Sequence, residues 1–370
     1  MSQVEINLRI STMYEEHIYK LYRVNMNLRE GERLLLLSDG EKEYLLELME
    51  EFLAVAQGFI REVKWLLYPS LGSHGKEPPE EAWRLAFGDR AVQKLKDMGL
   101  LERVIHKEDY SEGEVLQILK EEGEGVPHVV VAFSYYSTTH TFFRKALTEG
   151  FGCRYASMPL FEPEMFLGPM DVDWNYVASL STDVADMLSE AQWAHVRAEG
   201  TELEFSLEGR SGVADTGLLH QRGQYGNLPA GEAFIAPLET SAFGKLTLTY
   251  GPNRKLSRPL TLKFRKGAVE EMEGFEPYRQ YLEEVFKKHE GARTIAEFGV
   301  GTNPKARRPD NVLEAEKILG TVHIAIGDNH SFGGINKVPF HTDYVVFEPQ
   351  VTIGGKGWQK RLLEKGRLRT

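Results

Sequence analysis

The sequence predicts two architectures in one chain: an α/β N-terminal domain with a mostly parallel sheet and flanking helices, then a β-rich α+β C-terminal domain. Three observations predict them. Apolar runs in the first half are continuous and alternate with helix-like stretches, the pattern of strands covered on both faces. In the second half strands dominate, with Gly and Pro every ten or so residues. Between them Thr182–Ala194 is amphipathic, with Val184, Met187, Leu188 and Ala191 on one face, and reads as the joining helix. The domains are expected at 1–180 and 181–370.

In chain order, Leu34 to Leu37 is an apolar run closed by the turn formers Ser38-Asp39-Gly40, and Glu41 to Val55 continues at helical spacing, a strand leading into a helix. Val63–Tyr68 and Val129–Phe133 repeat the apolar run. The second is followed by the Ser/Thr-rich turn Ser137 to Thr141, which suits a helix cap, and by the helix-like Thr141–Glu149. Beyond the joining helix, strands are predicted at 202–207, 233–235, 244–250, 260–264, 294–298, 322–326 and 344–347, with one helix at Tyr278–His289. The closing segment Lys356–Thr370 carries six Lys and Arg against Glu364 alone and reads as a solvated tail.

Composition bounds the function. At roughly 100–200 residues per domain, 370 residues allow two or three domains. With 42% apolar and 27% charged residues the chain is neither disordered nor fibrous. A net charge of −11 weighs against nucleic acid, whose phosphates call for a basic surface. The N-terminus has no secretory pattern, and the longest apolar stretches fall well short of the ~20 residues that span a bilayer, so a cytoplasmic protein without a membrane span is expected. The lone Cys153 excludes an intrachain disulfide and any multi-cysteine metal site, and reads as a small packing residue. Any metal must then be held by His, Asp and Glu.

Such residues recur in the later strands. In His341-Thr342-Asp343, period-two alternation puts His341 and Asp343 on one face, where both can reach one cation. His323 stands opposite the apolar face of Val322, Ile324 and Ile326, beside small Ala325 and Gly327. Glu297 is embedded in the apolar strand before Gly301-Thr302-Asn303-Pro304, and Glu232 lies between Gly231 and Ala233. Each alone also reads as a core histidine, a surface charge or an ion pair. Together they place His, Asp or Glu on four strands of one domain, and Glu316 could join them. Three or four carboxylates suit two divalent ions better than one on charge balance, an arrangement that hydrolases use to polarise a carbonyl.

At these residues a resemblance becomes specific. The motifs from Gly209 to Pro237, then E-F-G-V-G-T-N-P (297–304), H-I-A-I-G (323–327) and H-T-D (341–343), in this order, resemble the aminopeptidase T family of metallopeptidases; Leu28 to Asp39, Thr139 to Thr141 and Met158-Pro159 look like its N-terminal domain. The resemblance implies a homodimer that removes residues from peptides with a free N-terminus. Glu232, Glu297, His323, His341 and Asp343 would hold two divalent ions (Zn, Co or Mn), with Glu316 or His330 as proton carrier. The chain departs from that family twice. The family's further acidic ligand lies slightly closer to the matching histidine than Glu316 does to His323, and His330 stands where the family has a tyrosine. The 2,5-dihydroxypyridine 5,6-dioxygenases look like members of the same superfamily and hold one Fe(II) by two His and a carboxylate, a part open to His323, His341 and Asp343. They carry a histidine at the place of Glu297 and no acid at that of Glu232, so the hydrolase is the expected reading and the ring-cleaving dioxygenase its alternative.

Overall fold

The computed structural model describes residues 13–274 and 277–369; residues 1–12, read for a secretory pattern, and Thr370 lie outside them. Two compact units form, one reaching Phe166 and including Leu219–Gly226, the other made of Leu167–Leu218 and the chain from Asn227 onward. No helix among the described residues is long and apolar enough to cross a membrane.

In the first unit the strands Glu62–Tyr68, Arg33–Asp39, Val129–Ala132 and Arg154–Ser157 lie in that order and pair in parallel, with the short strand Tyr225–Asn227 at the far edge. Leu34 to Leu37 and Val129 to Val131 are buried throughout, as runs without alternation require. Four helices between Glu80 and Glu122 pack Trp83, Ala86, Val92, Leu101 and Leu119 onto this sheet, where Trp83 and Phe87 meet Phe143 at ring-centroid distances of 5.2 and 5.9 Å. Thr141 caps the next helix by accepting from Arg144 N, and Cys153 is a buried packing residue.

The second unit opens with the helix Trp174–Glu190, begun by Asp173, whose carboxylate accepts from Asn175 N and Tyr176 N. Trp174, Val177, Val184, Ala185 and Leu188 bury one stripe, so the helix starts a full turn or more before the stretch singled out in the sequence; residue 180 lies inside it. Two antiparallel sheets follow. The larger orders Ala268–Glu273, Arg254–Arg265, Phe243–Gly251, Thr201–Ser206, Trp193–Ala198, Gln350–Gly355, Trp358–Glu364 and Arg367–Leu368. The smaller orders His341–Val346, Val322–Gly327, Ile295–Gly301, Glu232–Ile235 and Val213–Asp215. One core takes side chains from both, with Phe205 of the larger sheet edge-on to Phe298 of the smaller at 5.1 Å.

The basic C-terminal segment corrects an expectation. Instead of a solvated tail it supplies the last two strands of the larger sheet, with Leu362 and Leu363 fully buried. Burying two leucine side chains stabilises by about 1.5–3 kcal/mol each. The neighbouring Lys360 and Arg361 side chains stay in water, so their charge does not oppose the strand.

Candidate metal centre

The smaller sheet assigns its two faces by period two. Phe298, Val300, Val322, Ile324, Ile326, Tyr344 and Val346 point into the core. The other face is set by register: Asp215 lies across from Glu232, Glu232 from Gly301, Gly299 from His323, Glu297 from Ala325, Ala325 from Asp343, and Gly327 from His341. Every large polar group on that face therefore stands opposite a glycine or an alanine, or at the edge. The glycines are required for space. A Cβ on Gly299 would lie 1.9 Å from His323 Nε2, so the imidazole crosses the strand only because nothing projects there. A bulge between Ile295 and Glu297 adjusts the approach of Glu297.

Glu232 is fixed by its own loop. Thr302 N donates to Gly231 O at 2.8 Å, and Asn303 Nδ2 donates to Ala230 O at 2.8 Å and Pro169 O at 2.9 Å. The Asn303 of the G-T-N-P motif is thus a brace for the strand that carries Glu232.

Two groups of ligand atoms result, each within 4.8 Å internally: Glu232, Glu297 and His323; and Glu297, His341 and Asp343. Glu297 belongs to both, with Oε1 3.2 Å from His323 Nε2 and Oε2 3.7 Å from His341 Nε2. His341 Nε2 is 3.4 Å from Asp343 Oδ2. Its Nδ1–H donates to the Asp328 carbonyl at 2.7 Å, which leaves Nε2 to face the group, the usual orientation of a ligand histidine. The first group is closed, its members at most 7% exposed; the second is accessible, with the His341 and Asp343 side chains 26% and 14% exposed.

The electrostatics are those of a site short of positive charge. Burial opposes charge on His323, but the Glu297 hydrogen bond and the charges of Glu232, Asp343 and Glu297 outweigh it and raise the imidazole to about 9. Burial likewise opposes charge on His341, yet Asp343 and Glu297 lift it to about 10. Asp343 is held down at about 2 against the cost of its burial, chiefly by His341. Burial raises Glu297. Asp343 Oδ1 and Glu232 Oε2 are buried without a hydrogen-bond partner; Oε2 lies 3.3 Å from His323 Nε2 but off its N–H direction, which Glu297 takes. Cations would occupy the places that these protons and bare oxygens mark. Nitrogen and carboxylate donors suit Fe, Mn, Zn or Co.

Neither proton carrier expected from the sequence is a member of these two groups. His330 sits exposed on the turn His330–Phe332, outside both groups, while Phe332 of that turn meets the His341 ring edge-on at 6.1 Å. Glu316 is buried, raised to about 8 first by burial, and its Oε1 accepts from Lys317 Nζ at 2.8 Å. Lys317 and Asp215 were given no role by the sequence. Lys317 is completely buried with Nζ 2.5 Å from Glu232 Oε1 and 3.7 Å from Asp215 Oδ2, yet Leu313-Glu314-Ala315-Glu316-Lys317 reads as an ordinary amphipathic surface. Asp215 is visible only as part of the D-T-G motif.

The chain is thus a two-unit protein, an α/β unit and a β-rich unit, with a buried His/carboxylate face that is a candidate metal site. A family model described as NicX: 2,5-dihydroxypyridine 5,6-dioxygenase matches residues 177–369, just over half of the chain, and the chain belongs to that family. Two solved structures share the fold. The 2,5-dihydroxypyridine dioxygenase from Pseudomonas putida KT2440 is 18% identical with a TM-score of 0.69, over 96% of each chain. Wild-type AmpT from Thermus thermophilus is 15% identical with a TM-score of 0.59, over 96% of this chain and 99% of that one. No curated protein sequence matches the chain.

The family assignment overturns the hydrolase expected from the motifs. Aminopeptidase T shares the fold, but the family match is to ring-cleaving dioxygenases, so aminopeptidase, protease and hydrolase are withdrawn in favour of an oxidoreductase. The expectation had rested on acids at 232 and 297. Part of their charge is met within the protein by Lys317 and His323, and so does not by itself call for a hydrolytic metal pair.

Proposed function

We propose that this chain is a metal-dependent oxidoreductase that opens a hydroxylated nitrogen heteroaromatic ring with dioxygen, 2,5-dihydroxypyridine being the first substrate to try. The observation that carries the reading is the accessible trio Glu297, His341 and Asp343, in a chain of the dioxygenase family. This trio would hold a divalent iron, whose chemistry, when bound, is to bring dioxygen and an electron-rich ring into reaction. The set differs from the two-His, one-carboxylate triad: His323 does not share one ligand group with His341 and Asp343, and Glu297 completes the trio instead.

The protein's own contributions follow from the geometry. Asp328 O fixes the His341 ring and aims Nε2 at the trio. Glu297 spans His341 and His323, and His323 Nε2 holds a proton 3.2 Å from Glu297 Oε1. Phe332 places an aromatic wall against His341. Two ions per chain would use the closed group as well, and Glu232 in that group is already bound to Lys317.

The test is oxygen uptake by anaerobically iron-loaded protein given 2,5-dihydroxypyridine and related hydroxypyridines. The expected result is loss of ring absorbance with one dioxygen consumed per ring, absent in Glu297→Gln and in zinc-loaded protein. Iron-loaded protein that consumes no oxygen with any of these rings would defeat the reading.

A further inference from the structure

Lys317 is the feature of this site that the proposed chemistry does not use. An ammonium has three donors and no acceptor. Around Nζ stand Glu232 Oε1 at 2.5 Å, Glu316 Oε1 at 2.8 Å and Asp215 Oδ2 at 3.7 Å, brought by three separate segments of the chain, and the lysine is 0% exposed. Its backbone is equally fixed: Asn303 N donates to Lys317 O at 2.9 Å, and Lys317 N to Glu314 O at 3.0 Å. The ammonium is therefore built into the fold.

Glu232 is also a member of the closed group with Glu297 and His323. We propose that Lys317 serves as a built-in cation on Glu232 and Glu316, standing in for a second metal ion, so that the chain takes up one divalent ion, at Glu297, His341 and Asp343. The inference rests on the metal-dependent reading above. Its physical basis is competition for the same oxygens. A second ion needs donors beyond Glu297, which the accessible trio already uses. Glu232 Oε1 and Glu316 Oε1 are both held by Nζ, so within the closed group only Glu232 Oε2 and His323 Nε2 are left besides Glu297. A divalent ion drawn to Glu232 Oε2 would sit on the carboxylate that already binds the ammonium, and at so buried a position the repulsion is weakly screened. The closed group also lacks the exposed edge that His341 gives the other trio.

The experiment counts metal per chain. Full-length protein is stripped with chelator, loaded anaerobically with Fe(II) or with Zn(II), desalted and analysed for metal and protein. The wild type is expected to hold one ion per chain, Lys317→Arg one, Lys317→Met two, and Glu297→Gln none. Two tightly held ions in the wild type overturn the role of Lys317 while leaving the metal-dependent reading intact, as ring-opening activity of that protein would show. No ion in the wild type overturns the metal reading and this inference together. Should Lys317→Met fail to fold, Glu232→Gln decides. With Lys317 as the partner of Glu232, the affinity for the single ion falls by less than about tenfold, whereas losing a ligand or a group that orients one costs about 10–100-fold.

Discussion

Glu77 in the first unit and the acidic face in the second unit are both buried, and they meet the cost of burial differently. Glu77 is 3% exposed; its two oxygens accept from Phe142 N at 2.6 Å and Phe143 N at 3.0 Å, at the start of the helix Phe142–Lys145. Burial lifts it from the ordinary 4.5 to about 7 against those hydrogen bonds, so a proton and two backbone donors suffice for one carboxylate. In the second unit Asp215, Glu232, Glu297, Glu316 and Asp343 share one sheet face and its margin, and a backbone donor, that of Gly217, reaches Asp215 while the strand backbones there pair with one another. Such a cluster requires cations. Lys317 is one, and the protons drawn onto His323 and His341 mark where another belongs. A lone buried acid is a question of protonation; a clustered one is a question of which cation the fold supplies and which it leaves to be bound.

The largest expected effect separates the two sites by metal. Adding Fe(II) or Zn(II) to stripped protein should stabilise the second unit by about 4 kcal/mol once free metal is about a thousand times its Kd. Thermal unfolding with and without metal measures it. The gain should vanish in Glu297→Gln and persist in Glu77→Gln; an equal gain in all three proteins would show that the ion binds elsewhere.

Next in size is the pH dependence of Glu77. Its folded value lies above its unfolded one, so the neutral carboxyl favours the native state below about pH 4.5, and that contribution is lost as pH rises through about 7. The loss amounts to about 3 kcal/mol, at roughly 1.4 kcal/mol for each pH step between those values. Glu77→Gln, which cannot ionise, should therefore gain on the wild type across that window in denaturant titrations. A difference that stays flat from pH 4.5 to 7 would mean that the two backbone donors hold Glu77 ionised.

Gly299→Ala probes the packing behind the acidic face. The added methyl falls on the His323 ring, and overpacking of this kind costs about 1–3 kcal/mol. Because the ring must leave Glu297, metal affinity should fall as well, read by titration with a metal indicator. Unchanged affinity would place the ion on His341 and Asp343 without any support from His323.

The same contrast explains what could be read from sequence. His341 and Asp343 were legible because a two-residue spacing on a strand fixes a shared face, and His323 because small residues surround it. Glu297 was legible as a charge inside an apolar run. Lys317 was not, since its burial depends on three carboxylates that are 85, 102 and 1 positions away and on a turn after the four-residue helix Val312–Ala315 that no periodicity reveals. The carboxylate count that made two divalent ions the better electrostatic match was taken without that lysine. The C-terminal strands were hidden in the same way, because two buried leucines carry a segment whose composition is mostly charge. In the first unit the sheet was legible from uninterrupted apolar runs, while the four helices between Glu80 and Glu122 were left unassigned among dense charges.

The smallest effect sharpens the reading of Glu77 itself. Thr141 caps the same helix start, its Oγ1 accepting from Arg144 N at 3.1 Å and donating to Thr138 O at 2.7 Å. Thr141→Ala removes a neutral cap and should cost about 1 kcal/mol at every pH. Glu77 takes the two preceding donors, Phe142 N and Phe143 N, so it shares the geometry of that turn and adds a charge. If the pH dependence between 4.5 and 7 comes from burial of the Glu77 carboxyl, Thr141→Ala shifts the whole stability curve down and leaves its slope intact. If instead the turn loosens and water reaches Glu77, the slope falls along with the stability. Parallel curves for Thr141→Ala and a flattened one for Glu77→Gln would assign the titration to one buried carboxyl and separate it from the helix start that holds it.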